Sequence, residues 1–146
     1  MKPDFVFEIS WEAANKVGGI HTVIVSKARE MVAHYGANYF LVGPYFKDKL
    51  AGQFEPIAPP EYFKKAFAEA EKEGVRVHFG KWLIDGEPLL ILLEFEGVKP
   101  YLNDIKKELW DLHQVDSLGA GFDFDEPVVW GYAVGKLIKK IAGLGL

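Results

Sequence analysis

The nearly continuous apolar run Phe5–Ile9 leads through "SWEAANKV" into the glycine pair Gly18–Gly19 and then into a stretch of helical periodicity. That order restricts the fold more than any other feature of the chain. An apolar run of strand length is what a sheet covered on both faces requires. After Gly19, the residues Ile20, Val23, Ile24, Met31, Val32 and Tyr35 recur at three and four. Lys27, Arg29, Glu30 and His34 lie largely off that face, so the spacing predicts an amphipathic helix. Gly36 ends it as a C′ residue. The segment "NYFLVGPYF" at 38–46 then reads as a second short buried strand. Strand, glycine turn, helix and strand make a β-α-β unit, expected to be right-handed with parallel strands.

Beyond it, residues 47–60 are loop-like, punctuated by "EPIAPP". A surface helix is predicted over 61–73, with Phe63, Ala66, Phe67 and Ala70 as its inner stripe and Gly74 as its stop. "VRVHF" at 75–79 alternates as a half-buried strand. The turn "DGEP" at 85–88 connects it, as a hairpin or a bend, to the strand Leu89–Phe95. A short helix is expected over 100–112, then a loop over 115–127 in which Asp125 is the candidate N-cap and Pro127 lies in the first turn. The final helix, "VVWGYAVGKLIKKI", is apolar almost all round and is expected between layers. The chain is therefore α/β, with one domain spanning 1–146. The stop after a buried helix, at "AGLGL", suggests a cut inside a larger protein.

Composition excludes several classes of function. With 146 residues, 49% of them hydrophobic, the chain can build one core. No segment approaches the roughly 20 apolar residues of a membrane span, and no secretory leader follows "MKPDF". A net charge of −4 disfavours a general nucleic-acid surface. With no cysteine, a disulfide framework and a Cys-based metal site are excluded. A cytoplasmic protein without metal or cofactor is the expectation.

The glycine turn carries the chemistry. Ligands of parallel sheets sit at the carboxyl ends of strands, where a turn meets a helix. Gly18 and Gly19 let a ligand approach their amides. The helix N-terminus offers unpaired N–H groups, and Lys16 adds a full positive charge. Together they make a phosphate or diphosphate subsite. The alternative is a helix-start turn with an incidental lysine. The stretch is neither G-x-G-x-x-G nor a Walker loop, which disfavours a nicotinamide cofactor and P-loop chemistry.

A family resemblance bears on that choice. "FEISWEAANKVGGIHTVIVSKA" at 7–28, "NYFLVGPYF" at 38–46, "VHFGKWLIDGEP" at 77–88, "ELWD" at 108–111 and "DEPVVWGYAVGKLI" at 125–138 resemble, in order, the N-terminal part of glycogen synthases of the animal and fungal type. The resemblance implies a partial Rossmann-like N-terminal domain, with a mostly parallel sheet, of a two-domain glycosyltransferase of the GT-B type. It implies a retaining transfer of glucose from UDP-glucose or ADP-glucose to the non-reducing end of glycogen or another α-1,4-glucan. On it, Lys16 corresponds to the lysine that contacts the nucleotide sugar. Gly18 and Gly19 correspond to the loop that approaches its phosphates. Glu12 is the motif glutamate, expected to hold the loop, with Trp11, Asn15 and Val17 as supporting neighbours. His21 departs from the tyrosine common in animal members. The histidine motif after the last helix and the second domain of the family have no counterpart here, so no catalytic residue is assigned and the chain alone is expected to be inactive.

A non-catalytic module that binds nucleotide sugar or glucan is the alternative, and it could self-associate along its sheet edge or the 61–74 helix. His34, His78 and His113 are expected to be structural or at the surface, and Asp123, Asp125 and Glu126 to serve helix capping. Trp82, Trp110 and Trp130 are expected in the core. Trp11, beside the loop, is the one tryptophan with a candidate ligand role.

Overall fold

The computed structural model describes residues 4–145. The opening Met-Lys-Pro and the terminal Leu146, read above for a leader and a domain ending, lie outside the described residues.

Five strands form one sheet: β1 (Val6–Ile9), β2 (Tyr39–Pro44), β3 (Phe54–Pro56), β4 (Arg76–Trp82) and β5 (Leu89–Glu94). Their order is β1-β2-β5-β4-β3. Four helices accompany them: α1 (Gly19–Tyr35), α2 (Glu61–Lys72), α3 (Leu102–His113) and α4 (Phe122–Ala142). β1 runs parallel to β2, with Val6 opposite Tyr39, and β2 runs parallel to β5. The other two pairings, β5 with β4 and β4 with β3, are antiparallel. The sheet is therefore mixed, which corrects the expectation of a mostly parallel one. The reason is local. Gly86 (φ +91°) and Glu87 (φ +43°) close a tight turn, and the Trp82 amide donates to the Pro88 carbonyl at 2.9 Å. So short a connection leaves only an antiparallel partner.

Two apolar layers lie on the two faces of the sheet. Phe40, Val42, Phe79, Ile91 and Leu93 face α2, α3 and α4. Tyr39, Leu41, Trp82, Leu90 and Leu92 face the α1 side with Ile24. Strand alternation thus divides the aromatic and branched residues between two cores.

Three further expectations need correction. The 47–60 segment is not wholly a loop, because Phe54–Pro56 pairs with Gly80–Trp82 as the edge strand β3. Three residues ending in proline carry too little pattern to be read as a strand, and only an edge position tolerates them. α4 begins at Phe122 with Gly121 as its N-cap and no capping side chain, so Asp125 lies inside the first turns. α4 also packs through one face, formed by Val129, Trp130, Ala133, Val134, Leu137 and Ile141, while Gly131, Gly135 and Lys139 are exposed. It covers one side of the sheet instead of sitting between layers. Likewise the inner face of α1 is Ile24 and Ala28, and Ile20 and Val23 are more than half exposed.

Candidate functional site

β1 ends at Ile9, and the chain then crosses the carboxyl edge of the sheet. The Ser10 amide still donates to the Val42 carbonyl at 3.0 Å. Residues 11–14 turn back over β2, with Ala14 in the left-handed region at φ +54°. The turn lies directly on Gly43, where an added Cβ would stand 2.3 Å from the Ala13 carbonyl oxygen. Gly43 is glycine because the turn needs that space.

Gly18 and Gly19 have no such reason. Neither has a positive φ. A Cβ on Gly18 would meet only the Glu12 carboxylate at ordinary contact distance, and one on Gly19 would meet nothing within 4 Å. Backbone sterics therefore require neither glycine, and a tight turn does not account for the pair.

The amides at the head of α1 are not all bare, and here the sequence expectation is corrected. One Glu12 carboxylate oxygen accepts from the Gly18 amide at 2.7 Å and the His21 amide at 3.1 Å. These donors, chiefly Gly18, hold the Glu12 carboxyl below its ordinary range, against a smaller opposing effect of burial. Glu12 thus caps α1 from outside the helix. The amides of Gly19 and Ile20 donate to no partner among the described residues, and Lys16 is exposed, with no hydrogen bond or ion pair there. The local charge is positive by about half a unit: one ammonium and a helix terminus worth about +0.5 against one carboxylate. Burial and the nearby Lys16 push the His21 imidazole below its usual pKa, with Glu12 opposing, which favours the neutral ring. That ring meets Trp82 in a T-shaped contact at 5.5 Å.

The remaining residues named from the sequence have distinct places. Trp11 packs T-shaped against Phe46 and Trp130, at 5.5 and 5.4 Å, so its ring is used in the core. Asn15 is buried, with both polar atoms of its side chain engaged. Its Nδ2 donates to the Trp11 carbonyl at 2.9 Å, and its Oδ1 accepts from Lys49 Nζ at 2.8 Å. Val17 is exposed beside the glycines. Lys49 escaped the sequence reading because 34 residues separate it from Asn15. His78 has a carboxylate neighbour, Glu94 at 2.7 Å, brought near by the β4–β5 register. It also stacks on Tyr45 at 3.6 Å. Grooves of about 680 and 660 Å³ lie among α2, α3 and α4, lined by Glu73, Tyr132 and Lys136 among others. Neither includes a residue of the glycine turn, whose residues 16–20 are exposed. No helix among the described residues is long and apolar enough to cross a membrane.

Fold and site together define an α/β protein whose candidate ligand turn crosses the carboxyl edge of its first parallel strand. The chain belongs to the glycogen synthase family: the family model described as Glycogen synthase matches residues 8–144. It is similar to the liver glycogen (starch) synthase of Rattus norvegicus, 41% identical over 122 residues, covering 83% of this chain and 17% of the rat protein. Glycogen (starch) synthase isoform 1 of Saccharomyces cerevisiae is 35% identical over 148 residues, covering 95% of this chain and 21% of the yeast protein. The glycogen (starch) synthase of Dictyostelium discoideum is 35% identical over 138 residues, covering 94% and 15%. The chain spans about a fifth of the length of the curated relatives it matches.

Proposed function

We propose that the chain supplies one wall of the nucleotide-sugar site of a cytoplasmic glycogen synthase-like retaining glucosyltransferase of the GT-B type. The reaction moves glucose from UDP-glucose or ADP-glucose to the non-reducing end of an α-1,4-glucan. Lys16 Nζ and the Gly19 and Ile20 amides meet the diphosphate, and Gly18 and Glu12 hold the turn that presents them. Their contribution is electrostatic: fixed positive groups stabilise the charge that grows on the departing nucleoside diphosphate. One observation carries the reading. Two adjacent glycines stand where the backbone asks for neither, and the space a Cβ on Gly19 would fill is open at the head of α1, which supports the approach of a ligand to the amides there.

Titration of the chain with UDP-glucose and with ADP-glucose, followed through backbone amide resonances, tests this. Shifts centred on Lys16–Ile20 are expected, and Lys16→Ala and Gly19→Ala should each weaken them about tenfold or more. Shifts confined to other elements, or affinity unchanged by both substitutions, would sink the assignment. The chain alone should not elongate glycogen.

A further inference from the structure

We propose that Lys49 is a positioning residue for the nucleotide-sugar turn, acting on Lys16 and the glycine pair through the side chain of Asn15. The proposal rests on the reading of that turn given above. Asn15 is 1% exposed and immediately precedes Lys16. Its two side-chain bonds differ in kind. The bond from Nδ2 to the Trp11 carbonyl closes the turn on itself. The bond from Lys49 Nζ to Oδ1, at 2.8 Å, ties the turn to another part of the chain.

Lys49 is well placed to be an anchor. It ends the short 3-10 turn Lys47–Lys49 after β2. The Lys49 and Leu50 amides donate to the Phe46 and Lys47 carbonyls, and Leu50 is buried beneath. The ammonium lies 5.7 Å from the centre of the Phe46 ring. Phe46 in turn packs edge-on against Trp11 at 5.5 Å. Trp11, Phe46, Lys49 and Asn15 therefore close a ring of contacts under the turn. Removing the ammonium leaves a buried carbonyl oxygen without its donor, and such a group costs more than the bond itself contributed. A shift of the turn relieves that, and Lys16 moves with it.

Lys49→Met keeps the aliphatic stem over Phe46 and removes the donor, so the fold should survive. In the ligand-free chain, hydrogen exchange at the Asn15 and Gly18 amides should quicken about tenfold, and UDP-glucose affinity should fall by a similar factor. Lys49→Arg, which still donates, should restore both. In an Asn15→Ala background, Lys49→Met should cost nothing more, as two residues acting as one unit require. If Asn15→Ala does not fold, the Met and Arg variants carry the test alone. Unchanged exchange in Lys49→Met, no recovery in Lys49→Arg, or losses that add would each overturn the proposal. Exchange that responds in a chain binding neither UDP-glucose nor ADP-glucose would also overturn it. The brace would then be structural, and the fault would lie in the reading of the turn.

Discussion

Gly43 and Gly19 make opposite predictions for the same substitution. Gly43→Ala drives a methyl group against the Ala13 carbonyl. Backbone must shift to admit it, at roughly 1–3 kcal/mol, which chemical denaturation would register as a lower midpoint with an unchanged slope. Gly19→Ala meets open space in the first turn of α1 and should leave stability level or raise it by up to about 1 kcal/mol. Only ligand binding should suffer. If Gly19→Ala unfolds the chain, the glycine is structural after all. Glu12 adds a pH signature. Its folded carboxyl ionises below the ordinary value of 4.5. The stability it gives is therefore complete above that value and disappears as pH falls through the lowered folded one. The Tm gap between the wild type and Glu12→Gln should be wide at about pH 7 and closed by about pH 2. A gap that widens on acidification would contradict the cap. The lysine and the glycine pair of this turn stand out in the sequence by residue type and order alone. Glu12 is expected to hold the loop on the family resemblance, but which amides it caps is not legible there, because a side chain six residues upstream of Gly18 reaches them only once the turn has folded.

At the level of elements, long periodic segments were readable and their ends were not. β2, β5 and the inner face of α2 follow from apolar spacing alone. α4 begins before its expected start because "FDFDEP" reads as a polar loop, while in the fold Asp125 has a partner the sequence does not suggest. Lys106 is 6% exposed, and its ammonium donates to Asp125 at 2.8 Å and to the Ala120 carbonyl at 2.9 Å. Ser117, also buried, donates to the Lys106 carbonyl at 2.6 Å. The connection between α3 and α4 is thereby fastened, and Asp125 is drawn into the helix instead of capping it. Asp125→Ala leaves a buried ammonium with one carbonyl and should cost about 3 kcal/mol. The double variant Lys106→Met, Asp125→Leu removes both charges and should recover most of that loss. Thermal denaturation of the two variants side by side checks this. A double variant as unstable as the single one would show that the pair is not the fastening.

For the molecule as a whole, the sheet edge matters most. Among the described residues β1 pairs with β2 alone, leaving its other edge open. Lys27 of α1 pairs with Glu8 of β1 at 2.6 Å, which fixes the α1 face that borders this edge. Ile20, Val23 and Lys27 share that face by their spacing, and Ile20 and Val23 are 58% and 57% exposed. Ile9, at the end of β1, is 47% exposed. An unpaired strand edge bordered by apolar side chains is a template for another chain. The period-3.6 pattern counted Ile20 and Val23 as core because a sequence cannot tell a face packed on its own sheet from one left beside an open edge. Sedimentation of the isolated chain should therefore show weight-average mass rising with concentration. Val23→Lys, which places a charge beside the edge and touches neither core, should hold the chain monomeric with its Tm little changed. A wild-type chain that stays monomeric at high concentration would mean that the edge is already protected, and Val23→Lys would then alter nothing.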